Sequence, residues 1–279
     1  MDGQKIKLIA LDLDQTTLRT DKSLSERTRQ AILAAIRAGI WVVIASGRSF
    51  GSLPAAILEV PGIRYAVTSN GSAIYRLPEG ERCHEFLMDP SVVGQLLELI
   101  PRELAMEAFW EGRAYASRCY VEDPARFGAT DHAALYVQAT RTPVEQIRDF
   151  MREHQAELDS VQVVVGDEKI RDELWKKLEQ AVPGLYLTSS ASTLLELSQT
   201  VGGKRCGLEW LGRTLGIAPE EMMAFGDAQN DIDMIRYAGV GVAMGNGHPA
   251  LKEAADRVTL TNDEDGVALV IEEYLEHFL

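Results

Sequence analysis

Residues 5–17 read KIKLIALDLDQTT, an apolar run that ends in two acids and two threonines. We read residues 5–13 as a short buried strand. Side chains alternate along a strand, so Asp12 and Asp14 project to the same side at its carboxyl end. In wound α/β sheets that end is where ligands bind. Adjacent carboxylates repel each other unless one takes a proton or a cation lies between them. A turn with a helix-capping aspartate uses the same residue types, so this stretch alone leaves both readings open.

Working outward, residues 25–37 carry Ile32, Leu33 and Ile36 at helical spacing, with Ser25 as cap and Gly39 as stop. Residues 40–45 (IWVVIA) are apolar without alternation, as in a strand covered on both faces. A helix at 49–58 and a strand at 65–69 follow. This alternation predicts a parallel sheet wound with helices. From about Asp89 the pattern is mixed: helices at 91–100, 143–155 and 167–180, and strands at 104–110, 113–117, 161–165, 185–188 and 194–197. The wound pattern then returns, with helices at 204–215, 231–237, 249–255 and 267–275 and strands at 222–225, 240–243 and 258–260. The expected fold is therefore α/β. A Rossmann-like parallel-sheet core (1–86 and 191–279) is interrupted by an inserted α+β domain (87–190).

The 279 residues include 28 Lys and Arg against 42 Asp and Glu, a net charge of −14. Residues 220–279 alone hold 13 acids and 3 bases. This balance repels a polyphosphate backbone and argues against nucleic acid as a partner. No apolar run approaches the roughly 18 residues of a spanning helix, so no membrane partner is expected. The N-terminus has no signal-peptide pattern, which predicts a cytoplasmic protein. Cys83, Cys119 and Cys206 lack metal-ligand spacing and are expected to be reduced.

Three further stretches carry chemistry. Ser46-Gly47-Arg48 follows the second strand and offers a hydroxyl, close backbone approach and a cation to an oxyanion. It equally fits a strand-to-helix turn. Lys204 opens a helix, where its charge opposes the dipole. It therefore either faces an anion or is simply solvated. Gly226-Asp227-Ala228-Gln229-Asn230-Asp231 follows an apolar strand, and its oxygen-rich side chains suit magnesium. Asp231 also fits the first turn of the next helix.

Together these motifs resemble the haloacid dehalogenase superfamily, in its Cof-type phosphatase branch with a large α/β cap. Asp12-x-Asp14-x-Thr16 resembles the first motif, Ser46-Gly47-Arg48 the second, Lys204 the third and Gly226-Asp227-x-x-Asn230-Asp231 the fourth. Thr68-Ser69-Asn70-Gly71-Ser72 is similar to the family's S-N-G turn. Ala243-Met244-Gly245-Asn246-Gly247 is similar to its A-M-G-N-A segment, and Asn262–Val267 to its closing N-x-x-D-G-V. The chain departs from the family at Gln15 (usually Gly), Thr17 (usually Leu) and Arg205 (commonly Gly).

The resemblance implies a magnesium-dependent phosphatase. Asp12 would be the nucleophile and Asp14 the acid and base. Mg2+ would bind the Asp12 carboxylate, the Asp14 carbonyl and Asp227, with Asp231 orienting metal-bound water. Ser46, Gly47 and Lys204 would hold the phosphoryl group, with Asn230 touching phosphate or water. Arg48 would bind substrate or brace the loop. The implied partner is a small phosphate ester, with sugar phosphates first and phosphorylated cofactors next, and the chain a monomer or small homo-oligomer. A phosphomutase using the same covalent step, or a phosphate-binding module without catalysis, are the alternatives.

Overall fold

The computed structural model describes residues 5–199 and 202–278. The chain divides into two compact units: Met1–Gly47, Leu53–His84 and Gly203–Leu279 form the first, and Arg48–Ser52 with Glu85–Gly202 the second. In chain order, the first unit begins with β1 (Leu8–Leu11), α1 (Glu26–Arg37), β2 (Trp41–Ala45), α2 (Ala55–Leu58), β3 (Tyr65–Thr68), β4 (Ala73–Arg76) and β5 (Glu81–Glu85). The second unit carries α3 (Pro90–Leu99), β6 (Ala105–Trp110), β7 (Arg113–Ser117), α4 (Arg118–Glu122), α5 (Asp131–Thr140) and β8 (Arg141–Val144). It continues with α6 (Ile147–Glu153), β9 (Ser160–Val164), α7 (Glu168–Ala181), β10 (Tyr186–Thr188) and β11 (Leu194–Ser198). The chain then returns to the first unit through α8 (Lys204–Leu215), β12 (Met222–Gly226), α9 (Ile232–Tyr237) and β13 (Val240–Ala243). It ends with α10 (Pro249–Ala254), β14 (Arg257–Val258) and α11 (Gly266–Phe278).

The first unit holds an eight-stranded sheet in the order β14-β13-β12-β1-β2-β3-β4-β5. Pairing is parallel from β14 through β3 and turns antiparallel at β4. One face packs Leu8, Ala10, Val43 and Ala224 against Leu208 and Leu211 of α8 and Met234 of α9. On the other face Ile9, Leu11, Val42 and Ile44 are also buried, and α1 packs against α11. Both faces being covered explains why these strands read as unbroken apolar runs. The register sets Leu11 beside both Phe225 and Ile44, so the residues after β1, β2 and β12 emerge at one sheet end.

The second unit is a six-stranded sheet, β10-β11-β9-β6-β7-β8, antiparallel except where β7 meets β8. Met106, Val161, Val163 and Leu195 pack on Leu96, Met151 and Leu178 of its helices. The opposite face carries Glu107, whose Oε2 accepts from Arg141 Nε at 2.9 Å and lies 2.7 Å from Nη2. Their side chains are 1% and 5% exposed, a depth at which a charge survives only with its partner. Glu107→Gln keeps the shape but strands the guanidinium. It is expected to destabilise this unit by about 3 kcal/mol, read as a lower urea midpoint. An unchanged midpoint would show that the pair contributes nothing.

Several expectations shift. The inserted unit ends at Gly202 rather than 190, because β11 pairs with β9 and β10 in its sheet. It also takes Arg48–Ser52. The single helix expected at 49–58 is a 3₁₀ turn at Phe50–Ser52 and a short α2, since Pro54 lacks an amide and holds the preceding residue out of helix. The helix expected from 143 begins at Ile147, and Arg141–Val144 is strand β8. The three cysteines are free, and no helix of the described residues is long and apolar enough to cross a membrane.

Candidate active site

The strand that opens the chain delivers Asp12 to the sheet end, where its amide donates to Phe225 O at 3.1 Å. After Leu13 the backbone coils tightly over Leu13–Thr17, with Gln15 in the left-handed region at φ 62°. That conformation is the natural place for glycine, so Gln15 carries a small local strain. Thr17 Oγ1 donates to Asp12 O at 2.5 Å and closes the coil. Thr16 Oγ1 donates to Asp227 Oδ1 at 3.0 Å, joining the first loop to the fourth.

Asp227 follows β12, and Asp231 lies in the short turn that begins α9. Asp231 Oδ2 accepts the amides of Asp227 (2.9 Å) and Ala228 (3.0 Å), so its carboxylate is the scaffold of this loop. Gly226 makes the fold possible: a Cβ there would sit 2.4 Å from Asp231 Cβ. Lys204 enters from the first turn of α8, and Gly203 before it has φ 91°. Gly71, at φ 97°, passes so close that a Cβ on it would lie 2.0 Å from Gly203 O. The S-N-G turn and the Gly-Gly-Lys turn thus fix each other, and with them the lysine.

Lys204 Nζ reaches Asp12 Oδ1 at 2.5 Å and Asp231 Oδ1 at 2.6 Å, and its side chain is 0% exposed. Burial disfavours an ammonium, yet the charges of Asp12 and Asp231 outweigh it and hold the lysine protonated, well above its ordinary value. Burial pushes Asp12 up to about 7, with Lys204 pulling down and Asp231 pushing further up. Burial also pushes Asp227 up to about 9, helped by the charges of Asp12 and Asp231. One carboxylate oxygen from each of Asp12, Asp227 and Asp231 lies within 4.8 Å of the others. Three carboxylates share one ammonium, and a hard cation with oxygen ligands fits this donor set. The carboxylates that would hold it are Asp12 and Asp227, while Asp231 stands beside them with its oxygens bonded to Lys204 and to the Asp227 and Ala228 amides.

The remaining predicted residues fall into distinct places. Asp14 does not join the three-carboxylate cluster; its Oδ1 lies 2.9 Å from Lys22 Nζ. Ser46 is buried after β2, its amide bonded to Val67 O and its carbonyl accepting the Asn70 amide. Gly47 lies beside Asn70, whose Oδ1 would be 3.1 Å from a Cβ on that glycine. Asn230 Nδ2 donates to Asn70 Oδ1 at 3.0 Å, while buried Asn230 Oδ1 finds no hydrogen-bond partner. Arg48 makes its described contacts within the second unit, donating to Ser52 O at 2.8 Å with its guanidinium 4.7 Å from the Tyr136 ring centre. Thr16 and Asn70 are structural members of the site that sequence reasoning left out of its site residues. Their partners lie 211 and 160 positions away, a link that no local pattern carries.

Residues 9–271 match the family model described as haloacid dehalogenase-like hydrolase. The chain is 32% identical to Phosphatase YwpJ of Bacillus subtilis (strain 168), over 97% of its own length and 100% of that protein's. It is 31% identical to 5-amino-6-(5-phospho-D-ribitylamino)uracil phosphatase YitU of the same organism, over 96% and 97% of the two chains. Among solved structures, a haloacid dehalogenase-like hydrolase from B. subtilis superposes with a TM-score of 0.82 at 28% identity, covering 98% of this chain and 100% of that one.

Proposed function

This chain belongs to the haloacid dehalogenase-like hydrolase family, in its Cof-type phosphatase branch, and we propose that it hydrolyses small phosphorylated metabolites with magnesium through an aspartyl-phosphate on Asp12. The observation that supports this most is the group of three clustered carboxylates served by one buried ammonium at the end of a parallel sheet. Such a cluster accepts a divalent cation, and a cation there screens the repulsion between a carboxylate nucleophile and a phosphate dianion.

In the reading we favour, an Asp12 carboxylate oxygen attacks phosphorus, and the bond to the ester oxygen breaks. Asp14 gives its proton to the departing oxygen. It then takes a proton from the water that attacks the aspartyl-phosphate, and release of phosphate regenerates Asp12. Lys204 holds the Asp12 carboxylate in place through its 2.5 Å bond and offsets negative charge as the phosphoryl group arrives. Thr16 and Asp231 keep the Asp227 loop in register with Asp12. Ser46, Gly47 and Asn230 are the proposed phosphoryl contacts, the orphaned Asn230 Oδ1 suits a water or a protonated phosphate oxygen, and Arg48 braces its own loop through Ser52 O.

Sugar phosphates and phosphorylated cofactors are the substrate classes we favour, because a relative of similar length acts on a phosphorylated ribityl compound. A panel of phosphate esters, scored by phosphate release with and without magnesium, tests the reading. Turnover is expected to stop in excess chelator and to return when magnesium is restored. Undiminished hydrolysis in metal-free buffer would reject the metal, and isomerised product without free phosphate would make the protein a mutase.

A further inference from the structure

The turn between the first coil and α1 carries a charged side chain that the proposed chemistry does not use. Residues 19–23 fold back on themselves: Arg19 N donates to Ser23 O at 2.9 Å and Lys22 N to Arg19 O at 2.8 Å. Asp21 Oδ1 accepts from Ser23 N (2.9 Å) and Ser23 Oγ (2.6 Å), and this tightens the tip. Lys22 sits in the left-handed region at φ 69°, one of six described non-glycine residues with positive φ. A lysine gains nothing locally from that conformation, and the surrounding bonds hold it there. The result is that Lys22 Nζ lies 2.9 Å from Asp14 Oδ1.

The turn is braced from the far end of the chain. Thr20 donates through its amide (2.9 Å) and hydroxyl (2.8 Å) to the two oxygens of Asp263. Arg19 Nη2 donates to Asp265 Oδ1 at 2.9 Å, and Asn262 Nδ2 donates to Leu18 O at 3.1 Å. Three of the residues in 262–265 are thus spent on one short turn. An exposed ion pair is worth little for stability, so stability alone does not explain a strained lysine held by so many bonds.

We propose that Lys22 is a positioning residue: it holds the Asp14 carboxylate in the orientation from which it serves the leaving oxygen, and the 262–265 loop holds Lys22. Asp14 is itself non-helical within the coil, at φ −71° and ψ 125°, as is Gln15 after it, and its side chain stays outside the three-carboxylate cluster. Its described side-chain hydrogen bond, from Lys22 Nζ to Oδ1, therefore bears directly on where its oxygens lie. Misplacing a catalytic group by a fraction of its reach costs rate even when the group is intact.

This inference rests on the proposed role of Asp14, and the experiment separates the two. The proton delivered by Asp14 matters most for a poor leaving group. Lys22→Met is expected to lower kcat about tenfold on glycerol phosphate and at most about threefold on p-nitrophenyl phosphate, with KM little changed. Lys22→Arg is expected to recover most of the glycerol phosphate rate. Asp14→Ala should show the same leaving-group bias more strongly, and adding Lys22→Met to it should cost nothing further. An Asp14→Ala variant without that bias overturns the role of Asp14 itself. A biased Asp14→Ala beside a Lys22→Met that loses both substrates equally, loses neither, or adds its full effect to Asp14→Ala overturns Lys22 alone.

Discussion

Lys204→Met is expected to lower the thermal midpoint of the metal-free protein by roughly 10 °C. Breaking a buried ion pair costs about 3–5 kcal/mol, and each kcal/mol shifts Tm by about 2–4 °C in chains of this size. The physical reason is that the lysine is the ammonium bonded to both Asp12 and Asp231, at 2.5 and 2.6 Å, with no exposed side-chain surface. Methionine brings no charge, so Asp12 and Asp231 lose their shared counter-ion in a desolvated site. Turnover is expected to fall at least ~10³-fold, as when an oriented charge is removed from a reacting centre. Magnesium should recover part of the lost Tm, because a cation among Asp12, Asp227 and Asp231 supplies the missing charge, and little of the lost rate. Differential scanning calorimetry reads the first and a phosphate-release assay the second, each with and without magnesium. An unshifted midpoint in chelator would mean that the lysine is not the counter-ion of Asp12 and Asp231.

The sequence showed Lys204 as a misfit, because an ammonium at a helix start opposes the dipole, but left open whether it meets an anion or water; the bonds to Asp12 and Asp231 decide it. The core strands were legible for a related reason: runs such as WVVIA are covered on both faces, so their pattern depends little on what lies across from them. Where the surroundings decide, the sequence was mute. β5 (ERCHE) is a polar edge strand that exists because β4 offers it a partner. β8 (RTPV) contains Pro143, from which a helix was expected to start, yet it pairs with β7 and points Arg141 at Glu107.

The site divides along the same line. Asp12, Asp227 and Asp231 stand out because each follows a strand or opens a helix, and the parallel register brings those points together. Asn70 was read either as shaping the site edge or as a turn residue only, and it does sit in a turn, at φ 52°. Its side chain also accepts from Asn230, and only the fold makes that bond. The acidic end of the chain has a similar double character. Asp263 and Asp265 would pass for solvated surface, yet they tie down the turn at 19–23.

Asp12→Asn is expected to remove turnover by a factor on the order of 10⁴ or more while leaving the protein folded. An amide is too poor a nucleophile to open a phosphate ester, whereas its oxygen still accepts from Lys204. Stability supplies a second readout with a definite sign. The folded-state pKa of Asp12, about 7, is raised above the ordinary 3.8, chiefly by burial. Below about pH 4 the group is protonated in both folded and unfolded chains, and its ionisation contributes nothing. As pH rises toward 7 the unfolded chain releases the proton first, so the metal-free parent loses stability across that window and keeps the deficit above it. Asparagine does not titrate and is spared that loss. The Tm of the variant minus that of the parent, measured in chelator, is therefore expected to grow between about pH 4 and pH 7 and then level off. Adding magnesium at pH 8 should shrink the difference, because the cation stabilises the charged carboxylate only in the parent. A variant that loses turnover and also melts below the parent at every pH would show Asp12 to be a structural anchor, and the assignment of the nucleophile would then rest on nothing but its place in the chain.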